Sequence, residues 1–196
     1  LPDLQKGIES KTRLASIMNK EMKKIVVIGP ESTGKSTLCR QLAQHYKTEW
    51  VPEYAREYLL KHGTNYSYDD LLTIAKGQIA LEDSITQSAI RHHQSAIFID
   101  TDMYVMKVWC EFVFGNCHLY ILNQIAERSY DLYLLCNVDL PWTKDELREY
   151  PDLETRTKLF HIYKDILVNQ QTPWVLISGT NEHRLQAAIE AVDKIL

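Results

Sequence analysis

No stretch of this 196-residue chain reaches the ~18 consecutive apolar residues of a membrane-spanning helix, and no secretory leader is evident. There is no basic tract either. Lys and Arg total 22 against 26 Asp and Glu, a net charge of −4, which argues against a general nucleic-acid or anionic-membrane binder. Cysteine is scarce, and the four residues Cys39, Cys110, Cys117 and Cys136 form no C-x-x-C pair. Each lies in an apolar context, as reduced core thiols of a cytosolic protein do. Cys110, Cys117 and His118 match no familiar zinc spacing and lack a fourth ligand. These absences point to a soluble, cytoplasmic protein that binds no nucleic acid and no membrane, still admit small anions in a local pocket, and leave homo-oligomerisation open.

With 45% hydrophobic residues the chain is ample for one compact core and short for two. It begins at Leu1 rather than Met, and residues 1–22 are polar with a loosely helical apolar spacing. They are expected to be an appended helix or linker ahead of a domain spanning 23–196.

The stretch that organises the rest is Lys23–Leu38, a β-branched run followed by Gly29-Pro-Glu-Ser-Thr-Gly34-Lys35-Ser36-Thr37. The G-x-x-x-x-G-K-S spacing is that of a P-loop. Backbone N–H groups from Gly29 to Gly34, including those of Ser32 and Thr33, wrap phosphates. Lys35 reaches the β and γ oxygens, and the Ser36 hydroxyl ligates Mg²⁺. The helix that opens at Lys35 and Thr37 adds unpaired N–H groups and a positive dipole end.

Further strands are expected at 48–51, 95–99, 131–136 and 174–177, each followed by helical periodicity. Gly63 and Gly115 read as helix stops, and Ser67-x-x-Asp70 as a capping box opening a long helix. Such alternation implies an α/β fold, a five-stranded parallel sheet with helices on both faces and ligands at the carboxyl ends of the strands. That edge collects the P-loop, Glu53 after the second strand, Asp100 and Asp102 after the third, a charged excursion bounded by Pro141 and Pro151, and the turn 178–181.

Phosphoryl transfer needs a cradle, a metal, an aligned acceptor and cations over the moving group. Asp100 occupies the Walker-B place, as a metal ligand directly or through water. Asp102 faces acceptor or metal, or serves structure. Glu53 is a candidate general base or hydroxyl anchor. Arg56 either continues its pocket or forms a surface ion pair with it. Arg148 and Arg156 flank the excursion, where closure would bring guanidinium groups to phosphates. The N-K-x-D signature of guanine readers is missing around Cys136–Asp139, and Thr101 stands where motor and AAA+ ATPases put a water-activating Glu. Transfer to a bound small acceptor is favoured over hydrolysis.

Four motifs in order, Gly29–Leu38, Pro52-Glu-Tyr-Ala-Arg-Glu57, Phe98-Ile-Asp-Thr-Asp102 and Pro141-Trp-x-x-Asp145-x-x-Arg148, make residues 23–196 resemble the ribosylnicotinamide kinase domain of NadR-type proteins. The resemblance implies a P-loop NTPase fold of nucleoside/nucleotide-kinase type with a lid segment. It also implies transfer of the ATP γ-phosphate to the ribose 5′-hydroxyl of nicotinamide riboside, with Mg²⁺, in NAD salvage. Carried over by position, it assigns Gly34, Lys35, Ser36 and Thr37 to ATP–Mg²⁺, Glu53, Tyr54 and Arg56 to the acceptor, and Asp100 and Asp102 to metal or acceptor. Trp142, Asp145 and Arg148 fall to the lid. Trp50, Tyr54, Tyr58, Tyr104 and Trp109 all compete for the nicotinamide ring. The alternatives are a kinase for another nucleoside or nucleotide, and an ATP-binding regulatory module without transfer.

Overall fold

The structure, a computed structural model, describes residues 21–196. The expectation for 1–22 therefore falls outside the described residues, apart from Glu21 and Met22. Five parallel strands, β1 (Lys23–Ile28), β2 (Trp50–Val51), β3 (Ala96–Asp100), β4 (Leu132–Cys136) and β5 (Trp174–Ile177), stand in the order β2-β3-β1-β4-β5. Among the described residues the helices are α1 (Lys35–Tyr46), α2 (Tyr54–His62), α3 (Tyr68–Arg91), α4 (Met103–Phe114), α5 (Leu119–Glu127), α6 (Leu153–Val168) and α7 (Asn181–Asp193). This is the five-stranded parallel sheet that the alternation implied, in the P-loop NTPase arrangement that the resemblance implied.

β1 is central because its residues can be buried on both sides. Ile25 and Val27 point into a layer with Leu38, Leu42, Phe98 and Val192, under α1 and α7. Val26 and Ile28 point into the opposite layer with Ile97, Ile99, Leu159 and Phe160, under α3, α4 and α6. All four β1 residues are fully buried, and each such side chain contributes about 1.5–3 kcal/mol relative to exposure. A third cluster, built from α2 to α5 around Leu71, Ile74, Met106 and Ile121, raises a helical lobe beside the β2 edge. No described helix is long and apolar enough to cross a membrane.

Local signals set most boundaries. Ser67 and Asp70 form a reciprocal capping box at the start of α3, Gly63 follows α2 at φ 89°, and Gly115 ends α4 in the left-handed region at φ 69°. The second strand is shorter than expected. The Thr48 hydroxyl is drawn to the Ala96 carbonyl, and strand pairing begins only with Trp50↔Phe98 and Val51↔Ile99. The third strand runs one residue further than expected, so Asp100 is itself paired, opposite Val27 at the end of β1. That register places the Walker-B acid beside the strand that launches the P-loop. Residues 137–152 form no helix or strand.

Candidate functional site

The loop after β1 is shaped by close approaches within the protein. A Cβ on Gly29, at φ +143°, would lie 2.8 Å from the Cys136 carbonyl oxygen, so this glycine lets β1 leave against β4. Gly34 caps α1 in the left-handed region, at φ 81°. The Pro30 carbonyl accepts from the buried Thr33 hydroxyl at 2.7 Å and from Lys35 Nζ at 2.9 Å. Lys35 is thus folded back over the loop.

Arg184 braces the loop from behind. Only 3% exposed, it donates from Nη1 to the Thr33 carbonyl at 3.1 Å, from Nε to Gly179 at 2.9 Å and from Nη2 to Asn137 at 2.9 Å. It also pairs with Asp139, which in turn accepts from the Gly179 N–H at 2.6 Å. The turn 178–181, noted in the sequence for its position alone, is one end of this brace.

Asp100 is 1% exposed and its Oδ1 has no hydrogen-bond partner among the described residues. Burial pushes its carboxyl up, and the nearby Glu53 carboxylate adds to this, while Lys35 and a hydrogen bond with Ser36 pull the other way. A buried carboxylate oxygen without a partner, beside a P-loop hydroxyl, fits a divalent cation. No group of three or more His, Cys, Asp or Glu that could hold a metal occurs among the described residues. The donor set therefore suits Mg²⁺ completed by phosphate and water oxygens rather than a cage of protein ligands. Thr101 follows at φ 78°, buried, with its hydroxyl unpartnered among the described residues. A β-branched residue there is strained by about 1–3 kcal/mol, and such strain clusters at functional sites.

Beside the P-loop opens a cleft of about 380 Å³. It unites Ser32, Gly34, Lys35, Ser36 and Thr37 with Glu53, Arg56 and Arg148, and it is lined also by Trp109 and Phe112 of α4 with Tyr150 and Tyr163. Glu53 is the N-cap residue of α2, yet its side chain makes no capping bond and faces the cleft. Arg56 pairs bidentately with Asp145, at 3.0 and 3.3 Å, so it bridges α2 to the excursion rather than pairing with Glu53.

Several expected site residues do not line the cleft. Gly29 and Thr33 shape the loop from within. Tyr54 packs its ring against Gly77 of α3, while its backbone N–H donates to Gln78 at 2.7 Å. Asp102 is the N-cap of α4: Oδ1 accepts from the N–H groups of Tyr104 at 3.0 Å and Val105 at 3.3 Å, and Oδ2 from Tyr133 Oη at 2.9 Å. Burial, the largest influence, pushes its carboxyl up to about 7. Of the five aromatic candidates for the ring, only Trp109 lines the cleft. Trp50 packs on the α1 layer, the Tyr58 hydroxyl bonds Asp70 at 2.5 Å, and Tyr104 lines a smaller cavity with Asp102 and Tyr133.

The excursion is laid over the P-loop, and its anchor is a residue the sequence reading passed over. Glu31 accepts from Trp142 Nε1 at 3.1 Å, from the Glu149 N–H at 2.9 Å and from the Tyr150 N–H at 2.8 Å. Ser32 Oγ accepts from the Thr143 N–H at 3.1 Å. Trp142 is thereby an anchor of the excursion. Arg148 bonds the Thr143 carbonyl within the excursion and lines the cleft. Arg156 does not line it: 2% exposed, it holds the Leu140 carbonyl at 3.1 Å, and its Nε has no partner among the described residues.

Comparison with known proteins agrees with this fold. The profile of the AAA domain family matches residues 24–184. The trifunctional NAD biosynthesis/regulator protein NadR of Escherichia coli (strain K12) is 27% identical over 177 residues, which cover 88% of this chain and 42% of that protein. The chain thus spans less than half the length of this curated relative. Among solved structures, a NadR protein in complex with NR superposes with a TM-score of 0.71 at 24% identity, covering 91% of this chain and 52% of that one. A NadR protein in complex with NAD and AMP-PNP gives 0.67 at 26% identity, with coverages of 89% and 49%. The family match does not bring an acid after Asp100, where Thr101 remains. The chain belongs to the AAA domain family of P-loop proteins, with a fold of the nucleoside and nucleotide kinase type, and within it resembles NadR.

Proposed function

We propose that this chain is a phosphotransferase that moves the γ-phosphoryl group of ATP to the 5′-hydroxyl of nicotinamide riboside, giving nicotinamide mononucleotide. The observation that carries the reading is the shared cleft. Lys35 and Ser36 at one end and the non-capping Glu53 carboxylate with the Trp109 wall at the other open into one space. The likeness to NadR, one structure of which holds NR and another AMP-PNP, supports the choice of substrates.

In this reading the P-loop amides and the α1 N-terminus bind the phosphates, and Lys35 exchanges the Pro30 carbonyl for a phosphate oxygen. Ser36 and Asp100 would hold Mg²⁺, which when bound supplies charge neutralisation between the phosphates. Glu53 orients the acceptor hydroxyl and takes its proton, a role typically worth about 10²–10⁴-fold. Arg148, on the lid 139–152, places a guanidinium on the developing phosphate charge. Thr101, in the place of a water-activating acid, leaves water without a base on that side. Trp109 presents a π face to the ribosyl pyridinium, an attraction of about 0.5–2 kcal/mol that uncharged nucleosides lack.

The test is an acceptor panel of nicotinamide riboside, uridine, cytidine, adenosine and thymidine with Mg–ATP, read by mass spectrometry of the monophosphate. Nicotinamide riboside should show the highest kcat/KM. Preference for an ordinary nucleoside would keep the phosphotransferase and discard the NAD-salvage role, and ATP binding without acceptor-stimulated turnover would discard both.

A further inference from the structure

The two ends of the cleft are joined by a chain of hydrogen bonds that the proposed chemistry does not use. Trp109 Nε1, on the acceptor wall, donates to Tyr66 Oη at 2.8 Å. Tyr66 Oη donates to Glu149 Oε2 at 3.0 Å. The Glu149 backbone N–H donates to Glu31 Oε2 at 2.9 Å, inside the phosphate loop. Tyr66 also meets Trp109 edge-on, with ring centroids 4.9 Å apart, and does not itself line the cleft.

Glu31 puts a carboxylate inside the phosphate loop. A carboxylate in an anion cradle opposes phosphate unless its charge is engaged elsewhere. Here three N–H donors engage it, and all three belong to the lid. Phosphate arriving in the loop therefore favours the arrangement in which the lid covers Glu31. The same arrangement brings the Glu149 carboxylate to Tyr66 and fixes the indole of Trp109. Two ligands that bias one two-state element in the same direction bind with positive coupling, and the coupling is reciprocal.

We propose that Glu31 and Tyr66 are positioning residues which, through Glu149 of the lid, make ATP and the acceptor nucleoside bind cooperatively. This rests on the kinase reading of the cleft, with the acceptor base against Trp109.

The experiment is calorimetric titration of the full chain with nicotinamide riboside, with and without saturating Mg–AMP-PNP, in the parent, Tyr66→Phe, Glu31→Gln and the double variant. Tyr66→Phe keeps the ring and removes both bonds. Glu31→Gln keeps the shape but replaces one of the two accepting oxygens with a donor. In the parent, AMP-PNP should tighten nicotinamide riboside by about 5-fold or more, the usual span of coupling factors. Each single variant should bring that factor near 1, and the double variant should lose nothing further. A Tyr66→Phe protein that binds nicotinamide riboside more weakly by the same factor in both states would make Tyr66 a mere wall support and overturn the relay. A Glu31→Gln protein with the parent factor would overturn it from the other end.

A second measurement is independent of the acceptor. Mg–AMP-PNP alone should protect backbone amides 143–150 from hydrogen exchange in the parent and in Tyr66→Phe but not in Glu31→Gln, and equal protection in Glu31→Gln overturns the proposal. Failure of the parent to bind nicotinamide riboside in either state, with that protection pattern intact, would instead remove the acceptor assignment. The Glu31 latch would stand.

Discussion

Gly77 lies in the middle of α3, where alanine ordinarily stabilises a helix by about 0.8–1.0 kcal/mol. At this position a Cβ would fall 2.1 Å from Tyr54 Cε1 and 2.4 Å from Cδ1 and Cζ. The ring must withdraw by roughly 1.4 Å to restore ordinary contact near 3.5 Å. It has little freedom to do so, because Tyr54 is the first residue of α2 and packs on the cluster shared by α2, α3 and α4. Overpacking of this kind costs about 1–3 kcal/mol and occasionally more. Gly77→Ala should therefore be destabilising by about 1–2 kcal/mol despite the better helix former, a fall in Tm of about 2–8 °C for a chain of this size. Since Glu53 immediately precedes Tyr54, the acceptor KM should rise while ATP affinity, set by the P-loop, stays unchanged. Differential scanning fluorimetry and urea melts of a double-mutant cycle decide it: in a Tyr54→Ala background the same Gly77→Ala substitution should stabilise. A higher Tm for Gly77→Ala alone would refute the reasoning.

Lys35→Ala should abolish turnover and leave the fold intact, because the Lys35 ammonium is held by the Pro30 carbonyl of its own loop and not by the core; a near-parental melt with no detectable product checks it. Glu53→Gln should lower kcat by about 10²–10⁴-fold with ATP affinity retained, whereas Asp102→Asn, at a cap, should alter the melt and spare kcat; the opposite pattern would exchange the two roles. Asp70 is held down to about 2 by its hydrogen bonds to Ser67 and Tyr58, so its contribution is present above the ordinary carboxyl pKa and is lost as pH falls toward 2. Asp70→Asn should accordingly be less stable than the parent at pH 6 and lose less on acidification, as read from thermal melts between pH 6 and pH 2.5.

What was legible in the sequence was local. The P-loop spacing, the Ser67–Asp70 box and the Gly63 and Gly115 stops all concern residues a few positions apart, and each appears in the structure at its place. Five alternating apolar runs sufficed for the sheet. What stayed hidden depends on partners far along the chain. Asp102, which follows Asp100 on the ligand edge, could be read as facing acceptor or metal or as serving structure, and nothing local says that its cap and the Tyr133 hydroxyl, from a neighbouring element, use both oxygens. Tyr54 stood beside Glu53 in a motif, and only the packing of α2 on α3 shows that its ring is spent on Gly77. Glu31 lay in plain view inside the P-loop, and its task comes from lid residues more than a hundred positions away. The signal for Arg184 was a lone cation three residues into the last helix, next to the turn 178–181, and nothing local says that it is buried.

Arg184 also determines how far the chain can be shortened. A protein ending after Gly179 would keep all five strands and every residue that faces the cleft. It would lose the guanidinium that joins the Thr33 carbonyl, the Asn137 carbonyl and Asp139. Asp139 and the carbonyl that Thr33 turns inward would then be left without their cation, and the phosphate loop without its rear support. The smallest fragment able to grip a triphosphate is therefore longer than the set of residues that touch it, and for fusion or trimming its C-terminal boundary lies beyond the first turn of α7.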